Sequence, residues 1–234
     1  MADQPLAKLF ERQAARWAIE GRAGMPLPRG AVVSISRLPF SGGDEVAERV
    51  AAWLDYGLFG LDALRQIARD PALRAKLAAD LAPPALAAIE ARVQQVFGAL
   101  GEAELRNLAA VVATLGERGM AVVVGRGALS ILPRERTLRV LVVAPVAERV
   151  ERAAAQLALA RDAAAARVEQ EDAERLAFLR DRLGLAGDDA WLYDVAVNTQ
   201  ELTTDAAAAL VVEALRRRFP PSAPAGTVDA AGGP

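Results

Sequence analysis

A short loop between a predicted strand and a predicted helix carries the residue types best suited to bind an anion. Residues 32–36 read Val-Val-Ser-Ile-Ser, which is typical of a buried strand, and residues 43–54 have the apolar spacing of an amphipathic helix. Between them lie Ser41, Gly42 and Gly43. Small residues at a helix start let backbone N–H groups face a phosphate, so the pattern predicts a phosphate-binding loop.

The loop lacks the lysine of the usual phosphate-binding signature, in which Gly-Lys is followed by Ser or Thr. Asp44 and Glu45 follow the paired glycines, and the only two lysines of the chain, Lys8 and Lys76, lie far from the loop in sequence. These carboxylates would either repel a phosphate or bind a bridging Mg²⁺ ion. The sequence leaves both interpretations open.

Composition excludes several kinds of chemistry. The 234 residues include no cysteine and no histidine, which excludes disulfides, thiolate catalysis, histidine bases and histidine metal ligands. The positive charge is almost all arginine, which suits bidentate contacts with phosphate, although a GC-rich coding bias is a simpler explanation. With a net charge of −2, no apolar run of membrane-spanning length and no signal-peptide pattern, we expect a cytoplasmic protein that binds neither nucleic acid nor membrane.

Apolar periodicity and the positions of glycine and proline predict alternating strands and helices. Strands are predicted over residues 31–36, 56–59, 121–124, 138–143 and 193–197. Helices are predicted over residues 5–20, 43–54, 62–69, 71–81, 84–99, 102–118, 146–183 and 205–218. The runs at 121–124 and 138–143 are apolar without alternation, which is typical of parallel sheets covered by helices. We therefore expect an α/β fold, with a doubly wound parallel sheet of about four to five strands and helices on both faces.

The same pattern divides the chain into three parts. Residues 1–30 are predicted to form an N-terminal amphipathic helix and a linker, and residues 31–219 an α/β domain. The tail over residues 220–234 is rich in proline, glycine and alanine and is predicted to be disordered. On the helix over residues 43–54, the predicted buried face consists of Val46, Val50, Trp53 and Leu54.

Three predicted strand ends carry polar or glycine-rich segments. These are the loop from Arg37 to Glu45, the run Gly125-Arg126-Gly127, and the pair Asn198-Thr199. Ligands of doubly wound folds bind at the carboxyl ends of the strands, so we expect the three segments to meet in one crevice. Taken singly, each segment is also explained as a turn, a helix start or a helix cap.

The long helical stretch over residues 146–183 is rich in arginine. Its arginines are Arg149, Arg152, Arg161, Arg167, Arg175, Arg180 and Arg182. One interpretation is a solvated helical hairpin with salt bridges, in which Asp172 pairs with Arg175 across one helical turn. The other is a lid that closes its arginines over a transferring phosphoryl group and excludes water.

The order of these motifs resembles the cytidylate kinase-like family of P-loop proteins, from about residue 31 to residue 215. The segments that carry the resemblance are Ile35-Ser36-Arg37, Ser41-Gly42-Gly43, Glu45-Val46-Ala47, Val123 to Ala128, Leu138-Arg139-Val140, Ala144-Pro145, Arg149, Arg152, Asp172-x-x-Arg175, Tyr193-Asp194 and Asn198-Thr199. The resemblance implies a fold of the nucleoside monophosphate kinase type. It also implies ATP or another nucleoside triphosphate with Mg²⁺ as donor, and a small nucleotide-like acceptor.

Three positions depart from what the family typically has. Phe40 stands in place of a glycine, Asp44 in place of an arginine, and Gly60 in place of an aspartate that is followed by arginine. A side chain at position 40 would crowd the backbone and require a conformation that glycine adopts most easily. At position 44, an anion replaces a cation beside the expected polyanion. The family itself lacks the loop lysine, so its absence is not a departure.

Three hypotheses follow. The first is a phosphotransferase, and the second is a catalytically impaired nucleotide-binding or interaction module on the same fold. The third is a structural protein whose N-terminal helix docks a partner or a second copy through Phe10 and Trp17, although packing of that helix within the chain is the simpler interpretation.

Under the first hypothesis, each candidate residue has a stated role. The amides of Ser41, Gly42 and Gly43 hold the donor phosphates, Arg37 supports the loop, and Asp44 or Glu45 holds Mg²⁺. Asn198 and Thr199 complete the binding site. Charge on the transition state is neutralised by Arg126, Arg149, Arg152, Arg175 and Arg180.

Overall fold

The architecture is that of a parallel sheet wrapped by helices, as seen in a computed structural model of the chain. The structure describes residues 6–20, 30–97, 103–185 and 189–220. Residues 21–29 of the predicted linker, which extends to Gly30, and all but the first residue of the predicted disordered tail lie outside the described residues.

Five strands and ten α-helices are present in the described part of the chain. The strands are β1 (Val32–Arg37), β2 (Gly57–Phe59), β3 (Ala121–Val124), β4 (Thr137–Val143) and β5 (Val195–Asn198). The helices are α1 (Leu6–Glu20), α2 (Gly43–Leu54), α3 (Leu61–Arg69), α4 (Pro71–Ala78), α5 (Pro83–Phe97), α6 (Ala103–Arg118), α7 (Ala128–Ile131), α8 (Val146–Leu157), α9 (Arg161–Leu183) and α10 (Thr204–Arg218). Single 3₁₀ turns occupy Arg134–Arg136 and Ala190–Leu192.

The strands are ordered β2-β3-β1-β4-β5, and every pair is parallel. The first strand is therefore central, with Val32 opposite Ala121 on one side and Thr137 on the other. After β1 the chain moves to one edge of the sheet, returns beside β1 as β3 and then crosses to the other side. Such a reversal opens a crevice at the carboxyl ends of the central strands, where the loop after β1 lies. The predicted doubly wound fold is confirmed.

Two apolar clusters cover the two faces of the sheet. On one face, Val33 and Ile35 pack with residues of α2 and α10. On the other face, Val32 packs with residues of α3, α5 and α6. Each of these strand residues is fully buried, so β1 has no polar alternation, as expected of a central parallel strand.

The predicted buried face of α2 is wrong at Trp53, whose surface is 49% exposed. The buried face is formed instead by Gly43, Val46, Ala47, Val50, Ala51 and Leu54. At about 100° per residue, these positions form one continuous arc, and Trp53 falls just beyond its Val46 edge. The small residues Ala47 and Ala51 complete the contact, which lets α10 approach closely.

The predicted single helical stretch over residues 146–183 is two helices. The chain breaks at Ala158, whose left-handed backbone (φ 52°) ends α8, and it resumes as α9 at Arg161. We call α8 and α9 the helical hairpin. At the start of β5, Tyr193 lies outside the strand because the 3₁₀ turn extends to Leu192.

The N-terminal helix packs within the molecule. The Gln13 side chain is buried and donates a hydrogen bond from Nε2 to the carbonyl of Met120 (3.1 Å). The indole N–H of Trp17 donates to the carbonyl of Gly119 (3.2 Å). Both acceptors precede β3, so α1 covers the amino end of the sheet, away from the loop after β1. Trp17, which was predicted to dock a partner, thus contacts the protein's own chain. The Phe10 side chain is not among the described parts of the structure.

None of the helices in the described part of the chain combines the length and apolar character needed to cross a membrane.

Candidate functional site

The loop between β1 and α2 is held in place by bonds to the neighbouring strand β4. The N–H of Leu38 donates to the carbonyl of Val142 (3.0 Å), and the Ser41 hydroxyl donates to the same carbonyl (3.2 Å). The N–H of Ser41 donates back to the carbonyl of Leu38 (3.2 Å). The expected role of the Ser41 amide as a phosphate donor is therefore not supported, because this N–H is used inside the loop.

Helix α2 begins with three backbone N–H groups that have no partner within the helix. The first bond of the helix runs from the N–H of Val46 to the carbonyl of Gly42 (3.1 Å), which leaves the amides of Gly43, Asp44 and Glu45 outside the helical pattern. Gly42 precedes them in the left-handed conformation (φ 75°), which glycine adopts without strain. These amides and the helix dipole give this end of α2 a positive potential.

Phe40 has the conformation predicted for a glycine position, with φ +58°. For a bulky residue this conformation costs about 1–2 kcal/mol. Its ring packs against an apolar cluster on the helical hairpin, formed by Val150, Ala153, Ala164 and Val168. Burial of the ring in this cluster offsets the backbone cost.

The Asp44 side chain has a cationic partner at the loop. Its carboxylate forms an ion pair with the Nε atom of Arg37 (2.8 Å), and both side chains are partly exposed. The aliphatic part of Arg37 lies so close to the loop that a Cβ atom on Gly43 would come within 2.6 Å of the Arg37 Cβ. Arg37 thus lies against the loop and neutralises the Asp44 carboxylate.

A cleft of about 210 Å³ opens in front of the loop. It is lined by residues 37–45 of the loop and α2, together with Arg126, Gln156, Leu157, Glu171 and Arg175. Two of the five predicted arginines, Arg126 and Arg175, are therefore brought to the loop. Sequence reasoning did not select Gln156, Leu157 or Glu171, since no local motif marks a helix residue that happens to face a distant loop.

Arg175 has an unusual environment for a cation. It is only 2% exposed, yet within the described residues it forms no ion pair and no hydrogen bond. Arg126 is half-buried and is equally without an ion-pair partner among those residues. An isolated buried charge is unfavourable unless something compensates it.

The charges around Arg126 act in opposite directions. Burial is the largest influence and lowers the pKa of the Arg126 guanidinium. The carboxylates of Glu174 and Glu171 raise that pKa, whereas the cations of Arg37 and Arg175 lower it. Because an arginine stays protonated in proteins, Arg126 is a cation that lies among two other cations and two carboxylates.

Arg149 and Arg152 lie on one face of α8, as predicted, but their guanidinium groups bind the protein itself. Arg149 is 3% exposed and forms a bidentate pair with Asp172 (2.9 and 2.8 Å). Arg152 donates to the carbonyl (2.7 Å) and the hydroxyl (3.0 Å) of Thr199. The predicted pair between Asp172 and Arg175 is wrong, because Asp172 binds Arg149 on the other helix of the hairpin.

The carboxyl end of β5 supports the loop from behind and does not line the cleft. Thr199 is buried, and its hydroxyl donates to the carbonyl of Ser41 (2.6 Å). The Asn198 side chain accepts a bond from the N–H of Gln200 (3.0 Å), which closes a local turn. Of the three predicted segments, two therefore meet in the crevice, and the third is held one strand away by β4.

The sequence model of the cytidylate kinase-like family matches residues 32–201, which is more than half of the chain. The chain belongs to the cytidylate kinase-like family. The match includes the loop, both helices of the hairpin and all three strand ends described above.

Structural comparison supports the fold of this cytidylate kinase-like protein. An uncharacterised protein from Eubacterium ventriosum has a TM-score of 0.64 at 16% identity, and the alignment covers 80% of this chain and 99% of that one. TT1252 from Thermus thermophilus aligns with a TM-score of 0.39 at 20% identity, over 78% of this chain and 95% of that one, which is too low a score to carry an argument. No curated protein matches the sequence.

Two further expectations for a cytidylate kinase-like site have clear outcomes. Arg180 lies five residues after Arg175 on α9, which turns its side chain well away from the cleft, where it is exposed and pairs with Asp181 (2.7 Å). Gly60 caps the start of α3 and does not line the cleft.

A metal site made by protein side chains alone is not found among the described residues, where no three acidic, histidine or cysteine side chains are grouped closely enough to hold an ion.

Proposed function

We propose that the cleft binds the phosphate groups of a nucleoside triphosphate and that the protein transfers a phosphoryl group to a small nucleotide-like acceptor. The observation that carries this proposal is Arg175, a buried cation without a partner among the described residues, in a cleft that also contains the unpaired amides of α2. A polyanion would satisfy both at once. Family membership supports a nucleotide as the source of that polyanion.

The size of the cleft fits the phosphates alone. Its volume of about 210 Å³ is below the roughly 300–1,000 Å³ of typical small-molecule sites. A nucleotide would therefore place its phosphates inside, against the loop, with the base and the sugar outside the cleft.

The backbone amides and the arginines of the cleft have separate roles in this proposal. The amides of Gly43, Asp44 and Glu45 would hold the donor phosphates, and Arg126 and Arg175 would neutralise charge on the oxygens of the phosphoryl group as it moves. Arg149, Arg152 and Thr199 would keep the loop in place without touching the phosphates. Phosphoryl transfer depends mainly on positioning and charge, so arginine can replace the missing lysine.

Mg²⁺ fits this site only in part. Glu45 lines the cleft and is available as a ligand, whereas Asp44 would first have to release Arg37. Mg²⁺ usually takes one or two carboxylates and completes its shell with phosphate oxygens and water, so the residues present are sufficient when a triphosphate is bound. The ion would supply further neutralisation of the phosphate charge.

The second hypothesis, a nucleotide-binding module with impaired transfer, is favoured by a different observation. The ion pair between Arg37 and Asp44 places a carboxylate beside the expected phosphates and occupies a cation that could otherwise bind them. If this pair persists when the ligand is bound, affinity is retained through Arg175 but transfer is slow.

Thermal unfolding and turnover together separate the two. ATP and GTP, each with and without Mg²⁺, are added to the full chain, and transfer to a panel of nucleoside monophosphates is measured. A ligand at about one hundred times its dissociation constant stabilises the protein by about 2.7 kcal/mol, which is readily detected. Stabilisation with turnover supports the kinase, stabilisation without turnover supports the impaired module, and no stabilisation by any triphosphate contradicts both.

A further inference from the structure

The loop after β1 is joined to the helical hairpin through a buried arginine. Arg149 donates from Nε to the carbonyl of Ala144 (3.1 Å) and from both terminal nitrogens to Asp172 on α9. Its Nη1 atom also donates to the carbonyl of Pro39 in the loop (3.4 Å). One guanidinium group therefore connects the end of β4, the second helix of the hairpin and the loop.

A second, apolar contact joins the same parts one residue further along the loop. The Phe40 side chain packs against the apolar cluster that Val150 and Ala153 of α8 form with Ala164 and Val168 of α9. It thus contacts the core that the two helices of the hairpin share. The backbone of Phe40 is left-handed, a conformation that is unfavourable for a bulky residue, and its side chain lies against this cluster.

The two contacts constrain the position of Arg175. Asp172 and Arg175 are three residues apart on α9, hence on adjacent turns of one helix face. The pair between Asp172 and Arg149 therefore fixes the rotation of the helical turn that carries Arg175. The Phe40 ring fixes the distance between the hairpin and the loop.

We propose that Arg149 and Phe40 are positioning residues that fasten the helical hairpin to the loop and thereby hold Arg175 over the cleft. The hairpin is then fixed against the loop and lines one side of the cleft, and it is not a freely moving lid. Phe40, which replaces a glycine, supplies the apolar half of the fastening. The effect on ligand binding rests on the proposed phosphate site, whereas the fastening itself does not.

Hydrogen exchange of the ligand-free chain tests the fastening directly. Two variants remove one contact each: Asp172→Asn breaks the charge pair, and Phe40→Gly removes the ring while keeping a residue suited to the left-handed backbone. We expect amides of α9 and of residues 38–45 to exchange at least about tenfold faster in either variant, with β1, β3 and α10 unchanged. The matched control is Arg161→Gln, which breaks an exposed ion pair between the same two helices, Arg161 with Glu151, and should leave exchange unchanged.

Phe40→Gly is informative because strain and fastening predict opposite results. If the residue only strains the loop, the glycine variant relaxes it and exchange becomes slower. If the ring fastens the hairpin, exchange becomes faster despite the easier backbone. Unchanged or slower exchange in both variants, or a uniform increase across the sheet, would overturn the proposal.

Triphosphate affinity then tests whether the fastening acts through Arg175. Asp172→Asn is measured by calorimetry with ATP and Mg²⁺, alone and combined with Arg175→Gln. We expect the single variant to lose about tenfold in affinity and the loss to vanish when Arg175 is already absent. Equal losses in both backgrounds would show that Asp172 does not act through Arg175. Absence of ATP binding in the unsubstituted chain would defeat the proposed function, and the exchange experiment would still decide the fastening.

Discussion

Two groups of arginines surround the same loop and differ in what their guanidinium groups bind. On α8, Arg149 and Arg152 are saturated by the protein: one by Asp172 and backbone carbonyls, the other by Thr199 and Glu148. On the cleft side, Arg126 and Arg175 have no such partners among the described residues. All four looked equivalent in the sequence, where each was a candidate to stabilise a transferring phosphate.

The difference shows how one residue type is divided between two tasks. A guanidinium that binds a carboxylate in bidentate geometry is held rigidly and has few donors left for a ligand. A buried guanidinium without a counterion carries an electrostatic cost that a ligand can remove. We therefore propose that the α8 arginines hold the loop and that the cleft arginines bind the anion.

The largest expected effect is on ligand binding by Arg175→Gln. Hydrogen bonds to charged groups contribute about 1.5–3 kcal/mol, so triphosphate affinity should fall by at least about tenfold. Stability should be unchanged or higher, because a buried unpaired charge is removed. Calorimetry and denaturant unfolding measure the two quantities, and loss of stability without loss of affinity would reverse the assignment of this arginine.

Thr199→Val is expected to act in the opposite way. It removes the hydroxyl that donates to the carbonyl of the buried Ser41, whereas Arg152 keeps its bonds to the Thr199 carbonyl and to Glu148. A buried carbonyl without its donor is costly, so the free energy of unfolding should fall by about 1–3 kcal/mol. Urea unfolding measures the change, with Gln200→Ala at the next, exposed position as control. A stability equal to that of the control would show that β5 does not support the loop.

Asp44→Asn sharpens the comparison at the loop itself. It frees Arg37 and removes a negative charge near the bound phosphates, an effect of about 1 kcal/mol once solvent screening is included. Triphosphate affinity should therefore rise by about fivefold. Weaker binding, together with loss of any Mg²⁺ dependence, would instead identify Asp44 as a metal ligand.

The smallest expected effect belongs to Arg180→Gln. Arg180 lies on the same helix as Arg175 but on another face, exposed and paired only with its neighbour Asp181. Exposed pairs contribute little, so both the triphosphate affinity and the free energy of unfolding should be unchanged. A loss of affinity comparable to that of Arg175→Gln would mean that α9 changes its position when the ligand binds.

Much of the fold could be predicted because local patterns determine it. The unalternating strands at 121–124 and 138–143, the glycine pair and the helix after it all follow from the types of neighbouring residues. The left-handed backbone at Phe40 was also predicted, since the resemblance implies a glycine at this position. Trp53 was misplaced because apolar spacing alone does not show where a buried arc ends.

The division of the arginines could not be predicted, because it depends on contacts between distant parts of the chain. Arg149 and Asp172 are 23 residues apart on different helices, and Thr199 meets Ser41 from 158 positions away. No periodicity encodes such pairs. Local spacing suggested that Asp172 pairs with Arg175. In the structure Asp172 pairs instead with Arg149, because the two helices of the hairpin lie side by side.

A structure of the chain with a non-hydrolysable triphosphate and Mg²⁺ tests the central claim most directly. Phosphate oxygens should lie within about 3 Å of the amide nitrogens of Gly43 and Asp44 and of the Arg175 guanidinium, while Arg149 stays paired with Asp172. Phosphates bound by Arg149 or Arg152, or bound anywhere away from the start of α2, would contradict it.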